Sequence, residues 1–278
     1  MRTPGIDLAN HREPQQQARS TIPMKISNLA GAVVLALAYS QAGATLAYDQ
    51  NVTNNVIFGS GVTNGSFTVD RANGVELGLR GKLRHNASGA PENTFNSNGD
   101  GSYSFAAGVA PTQVSPTAVW SFEWSINVDT SGTAGRQLND LTYKLGIDTD
   151  TSLATSFIEF DLIHGAAVYD HSIGDNSTAQ SAGVEASDAA TYASLIANNN
   201  LAQNSWKPHW FNGSLDPTAD ATYTFYLAAF DVTGAELART SIDIIVGNGG
   251  GTVPEPASLA LAGLALAGLG LARRRRSS

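Results

Sequence analysis

Histidines and carboxylates concentrate at one place in this sequence, Asp161, His164, Asp170 and His171. Imidazole and carboxylate at close quarters can ligate zinc, or serve as a general base and its orienting partner. The spacing fits no zinc signature, and His164-Gly165 stands where a strand should end, so these read as solvent-facing loop residues. Asn96, Asn98 and Asp100, with Gly101, mimic the first half of an EF-hand loop. The twelfth position of that loop is Ala107 in place of a bidentate glutamate, which leaves a hairpin loop as the expectation. Asp148 and Asp150, with Asp129 and Asp140 in other loops, are the calcium candidates, an oxygen-rich set at one end of a β-domain. Glu76, Glu123, Glu159 and Asp161 are the acids that could pair for glycoside hydrolysis, although glutamates on strand faces are commonly just solvated. Trp206-Lys207-Pro208-His209-Trp210-Phe211 is an aromatic run in an expected loop. Trp206 and Trp210 are its candidate glycan contacts; the competing reading has the rings plugging the open end of the domain. No Gly-x-Ser-x-Gly elbow, Walker loop or His-Glu-x-x-His is present. The residues thus favour a protein with no catalytic centre and no cofactor, calcium being the alternative.

Composition narrows the classes further. The 278-residue chain carries a formal net charge of -8, which argues against a nucleic-acid partner because phosphate binding needs a basic face. It contains no cysteine, which excludes disulfide frameworks, thiolate metal sites and thiol nucleophiles. Stability must then come from a patterned apolar core.

The central region supplies that pattern, with period two. Val75, Leu77, Leu79 and Leu83 alternate with Glu76, Arg80, Lys82 and Arg84, and Ala72-Asn73-Gly74 supplies a hairpin turn back to Ser66–Arg71. Trp120, Phe122, Trp124, Ile126 and Val128 form one aromatic-rich face, the expected centre of the core. Leu141, Tyr143, Leu145 and Ile147 continue the alternation, as do Ile158, Phe160 and Leu162. Tyr223, Phe225, Leu227 and Ala229, a Thr233-Gly234 turn, then Ile242, Ile244 and Val246 form a closing hairpin. One segment has helical period, Tyr192, Leu195 and Ile196 behind an Asp188 cap. The expectation is an all-β, antiparallel two-sheet sandwich, jelly-roll-like, of about seven to ten strands with one short helix, spanning residues 45–246. A parallel β-solenoid is the runner-up, but no short repeat supports it.

The two ends read differently. Residues 1–23 are polar, a disordered leader or a mis-assigned start, with Met1 and Met24 the alternative first residues. Residues 24–44 carry Lys25, the apolar run Leu29–Ala38, and a small-x-small cleavage site at Ala42 and Ala44, the layout of a signal peptide with a signal helix. After a glycine-rich linker at 247–252 comes Val253-Pro254-Glu255-Pro256, a stiff extended stretch that neither continues a strand nor starts a helix before Pro256. Residues 257–272 are only Ala, Leu, Gly and one Ser, a helix of about 24 Å at the lower limit for a transmembrane span. Arg273, Arg274, Arg275 and Arg276 follow it and act as a membrane stop, giving an N-out, C-in orientation.

That order of features over residues 253–278 closely resembles the PEP-CTERM sorting signal of Gram-negative bacteria. The resemblance implies export, transient anchoring in the inner membrane, and processing by an exosortase after signal peptidase. Val253, Pro254, Glu255 and Pro256 would be the sorting motif. The destination would be the outer envelope, the cell surface or an extracellular matrix, in strains that make exopolysaccharide, a possible partner. For the β-domain the leading expectation is a structural or adhesive role in a biofilm matrix. A carbohydrate-binding module and a secreted glycan hydrolase are the alternatives.

Overall fold

The computed structural model describes residues 46–165 and 169–250. The expected signal peptide with its cleavage site, the Val253–Pro256 stretch, the expected 257–272 span and the arginine cluster lie outside the described residues. No helix among the described residues is long and apolar enough to cross a membrane.

The strands are β1 (Ala47–Gln50), β2 (Phe67–Ala72), β3 (Val75–Leu83), β4 (Ser102–Phe105), β5 (Trp120–Asn127), β6 (Thr142–Asp148), β7 (Phe157–Phe160), β8 (Ser172–Gly174), β9 (Leu201–Trp206), β10 (Ala221–Phe230) and β11 (Glu236–Val246). One helix, α1 (Ala189–Asn198), interrupts them. Six strands form one sheet in the order β1-β2-β3-β5-β9-β8, and five form the other in the order β4-β11-β10-β6-β7.

Local chemistry explains the best-read elements. Asn73 and Gly74 take φ of 53° and 78°, the two positive values a tight hairpin turn requires, and they set Ala72 opposite Val75. The Asp188 carboxylate accepts from the Thr191 amide, capping α1, which buries Tyr192 and Ile196. The expected aromatic strand is β5, and its core-facing Trp120, Phe122, Trp124 and Ile126 are all buried. Trp120 meets Tyr223 and Phe225 of the opposite sheet at 6.1 Å each, and Phe122 meets Phe225 at 4.7 Å. Gly81 lets the sheets approach, because a Cβ there would lie 2.8 Å from Phe105 and 2.9 Å from Ile244.

Three expectations need correction. The sandwich is not wholly antiparallel: β4 runs parallel to β11, Ser102 opposite Asp243 and Phe105 opposite Val246. Strand β4 reaches that edge from the other sheet through a long connection, so no tight turn forces it to reverse. Strand β9 occupies Leu201–Trp206, where a loop was expected to begin at Trp206. Past the closing hairpin, the described part of the glycine-rich stretch is tied to the domain. The Gly247 amide donates to Phe105 O, and the Gly250 amide donates to Thr222 Oγ1.

The third correction concerns the polar face of the six-stranded sheet. Period two places Glu76, Arg80, Lys82, Ser121, Glu123, Ser125 and Gln203 on the side away from the other sheet. Residues 51–65 lie over that side at Glu76, Arg80 and Gln203, and every one of these polar side chains is buried. Val52, Val56, Phe58 and Val62 from the covering segment pack with Phe67 and Val69 of β2. Backbone polar groups of the segment are answered by the sheet: the Ile57 amide donates to Gln203 Oε1 at 2.8 Å, and the Thr53 amide donates to Glu76 Oε1 at 2.6 Å.

Under this cover lies a closed charge cluster. Arg80 Nε donates to Glu123 Oε2 at 2.6 Å, and Lys82 Nζ stands 3.2 Å from Glu123 Oε1. The Arg80 guanidinium lies between the rings of Phe67 and Phe95, 4.0 and 3.9 Å from their centroids, and donates to the carbonyl oxygens of Thr63 and Gly65. Burial lowers the pKa of Arg80 and Glu123 opposes that fall. Removing one member leaves an uncompensated buried charge. Glu123→Gln should therefore lose about 3 to 5 kcal/mol of stability in chemical denaturation; a loss near zero would contradict a closed cluster.

Candidate binding sites at opposite ends of the strands

The sites expected from sequence are dispersed by the fold. Asp129 follows the end of β5, whereas Asp148 follows Ile147, whose partner Phe225 packs on Trp120 at the start of β5. The calcium candidates therefore do not converge at one end. Asp129 accepts from Ser131 Oγ at 2.9 Å and the Gly135 amide at 2.8 Å. Asp148 Oδ1 accepts from the amides of Asp150 and Ser156, and Asp150 accepts from the Ser152 amide. These carboxylates shape their own loops. Asp140 does the same, accepting from the Gln137 amide at 2.7 Å. Among the described residues no group of three or more His, Asp or Glu side chains is placed to hold a metal.

Asn96, Asn98 and Asp100 form the hairpin loop. Asp100 accepts from the amide and hydroxyl of Ser102, and the Asn98 amide donates to Ser102 O.

The four expected glycosidase acids are also committed. Glu76 binds Thr53 and Arg71, and Glu123 is closed under residues 51–65. Glu159 meets the Tyr226 hydroxyl and Lys144, and those two partners hold its carboxyl below the usual range. A general acid of a glycosidase needs a raised pKa. Burial raises only Asp70 among the described carboxyls with a resolved shift, and that side chain is shut between the sheets, accepting from the Arg239 amide at 2.8 Å.

Asp161, His164, Asp170 and His171 separate into two pairs. His171 is fully buried among Trp124, Trp206 and Tyr192, with Nε2 2.7 Å from Leu162 O, and Asp170 touches its other nitrogen at 3.5 Å. Asp161 is the stronger organiser: Oδ1 accepts from the Ile163 and His164 amides, Oδ2 from the Tyr143 amide, and His164 Nδ1 lies at 3.1 Å.

The two ends of β3, β5 and β9 differ in chemistry. At the Asn127 end an asparagine network surrounds a cleft of about 320 Å³ lined by Asp129, Arg136, Asp175, Asn176 and Asn200. Asn176 Oδ1 accepts from Asn54, Asn127 and Asn200 at 2.8 to 2.9 Å, so much of the lining's hydrogen-bonding capacity is already used.

At the opposite end the expected tryptophan pair splits. Trp206 is 1% exposed and packs on Trp124, Phe122 and Phe211, which removes it from any ligand; Trp210 is 55% exposed. Lys207 and His209 stand beside Trp210, and Arg84 acts on Lys207 and His85 on His209, two neighbours that spacing along the chain does not suggest. Arg84 and His85 follow β3 and Lys207 follows β9, so only the long-range pairing of both strands with β5 brings them together.

The tail gives the clearest comparison. The family model of the PEP-CTERM protein-sorting motif matches residues 252–276. No curated protein and no solved structure matches this chain.

The Asp161–His164 pair generates a pH prediction. Burial is the largest influence on Asp161 and disfavours its charge, but donors from His164, Tyr143 and Ile163 hold it below the ordinary 3.8. The hydrogen bond to Asp161 holds His164 above the ordinary 6.5, against partial burial. The Asp161 contribution is present above 3.8 and lost as pH falls through its lowered folded value; that of His164 is present below 6.5 and lost as pH rises through its raised folded value. The thermal midpoint should carry an increment that is complete between these limits and smaller in His164→Gln, which loses the His164 part and keeps the backbone amide donors to Asp161. A variant whose pH profile overlays the parent's would refute the pairing.

Proposed function

We propose that this chain, whose tail carries the PEP-CTERM sorting motif, is a non-catalytic structural or adhesive component delivered to the cell surface or extracellular matrix. The motif implies export and handling by exosortase-type machinery. The single observation that carries the reading is the match over residues 252–276, which contains Val253-Pro254-Glu255-Pro256, the apolar run and the arginines. The proline-flanked glutamate suits recognition because neither proline can donate to a ladder and both hold the peptide extended. Four adjacent guanidinium groups resist transfer through hydrocarbon, which would stop the tail in the inner membrane before processing.

The β-domain supports a passive role in a matrix. Its stability needs no disulfide, and its buried acids are used in internal ion pairs and backbone capping. Such a domain keeps its fold in dilute surroundings outside the cell, and a biofilm of exopolysaccharide is the setting we assign to it.

Glu255→Ala in a strain with the exosortase should leave the full-length tail on the protein, retained in the membrane fraction, and so reproduce the outcome in an exosortase-deletion strain. Normal processing and release of Glu255→Ala would remove the recognition role of the motif.

A further inference from the structure

The end of the six-stranded sheet that carries Trp210 holds positive charge without its complement, in a chain of net charge -8. Trp210 belongs to a short turn, Pro208–Trp210, that starts on a proline and is closed by the Asn212 amide donating to Pro208 O. On either side of it the chain is pinned: Trp206 is buried in the core, and Phe211 stacks on Phe160 with an interplanar angle of 15° at 5.3 Å. Flanked by two anchored rings, the indole of Trp210 is held outward as a fixed flat surface. Lys207 Nζ lies 6.0 Å from its centroid, and the His209 ring is 6.2 Å away.

The charges around that surface are crowded. Partial burial, and then the Arg84 guanidinium, push Lys207 below its ordinary range. Burial, then Lys207 and His85, push His209 down in the same direction. Neither Arg84 nor Lys207 forms an ion pair with a described residue, and no carboxylate is among the groups acting on Lys207 or His209.

A uronic acid offers both complements in one residue: an apolar ring face for the indole and a carboxylate for the two cations. We infer that Trp210, Lys207 and Arg84 form a binding site for an acidic polysaccharide of the uronate class. Trp210 is the stacking platform, and Lys207 and Arg84 are the carboxylate contacts. The choice of a glycan over a nucleotide, which also joins a flat ring to an anion, rests on the exported location proposed above. The binding itself does not.

The test uses the purified full 278-residue chain and calorimetric titration with an alginate oligosaccharide, a neutral manno-oligosaccharide of equal length, and a short oligothymidylate. The alginate oligomer should bind most tightly, and its affinity should fall as salt rises from about 0.05 M to about 0.5 M. Trp210→Ala and Lys207→Gln should each weaken it by about tenfold or more, with melting curves unchanged because Trp210 is exposed and Lys207 is only half-buried and has no ion pair to lose among the described residues. Equal binding by Trp210→Ala, a preference for the neutral oligomer or the oligothymidylate, or no binding of any probe would each overturn the proposal. Because processing at Glu255 is read separately in cells, failure of the titration leaves the sorting assignment standing.

Discussion

The Arg80–Glu123–Lys82 cluster sets the terms for the rest of the domain. Ions of this kind cost several kcal/mol each when taken from water, and they persist only with partners on all sides. The partners come from three places: neighbouring strands supply Glu123 and Lys82, residues 51–65 supply carbonyl groups, and Phe67 and Phe95 supply ring faces. The covering segment is itself held down by the Ser181 and Gly183 amides, which donate to Val56 O and Ile57 O. The domain is thus layered: a five-stranded sheet, an apolar aromatic core, a six-stranded sheet, a buried polar sheet face, and an irregular roof.

That layering bears on function. With the roof closed, Glu76 and Glu123 are interior groups. Chemistry with partners is left to the ends of the strands, where loops meet. One end spends its polar groups on an asparagine network around Asn176, while the other leaves Lys207 without an ion pair among the described residues beside the exposed Trp210. The contrast arises from sequence only indirectly, since it depends on which loops β3, β5 and β9 bring side by side.

Local patterns were legible wherever one local rule dominated. Asn73-Gly74, the alternation through β3 and β5, the closing hairpin and the Asp188-capped helix all appear where the residues suggest. The roof was not legible, because residues 51–65 have no period and their apolar side chains are matched to a sheet face that reads as solvated. Alternation of polar and apolar residues tells the two faces of a strand apart; it does not tell water from a buried polar layer. Trp206 failed for a related reason: an aromatic run beside proline reads as a loop, while pairing with Phe122 draws its first ring into the core. Asp129 and Asp148 were similar in type, yet strand direction sends them to opposite ends. The sorting tail needed no folded context at all, because its information lies in the order of residues along the chain.

Residue-resolved hydrogen exchange on the intact chain tests the layered arrangement most directly. The Val52 and Ile57 amides, bonded to Asn64 Oδ1 and Gln203 Oε1, should be protected to nearly the same degree as the amides of β3 and β5, since the roof and the ions beneath it open together. If those two amides exchanged like an unstructured loop while β3 and β5 stayed protected, the roof would be open in solution. Glu76 and Glu123 would then face water, and a closed polar layer beneath residues 51–65 would be contradicted.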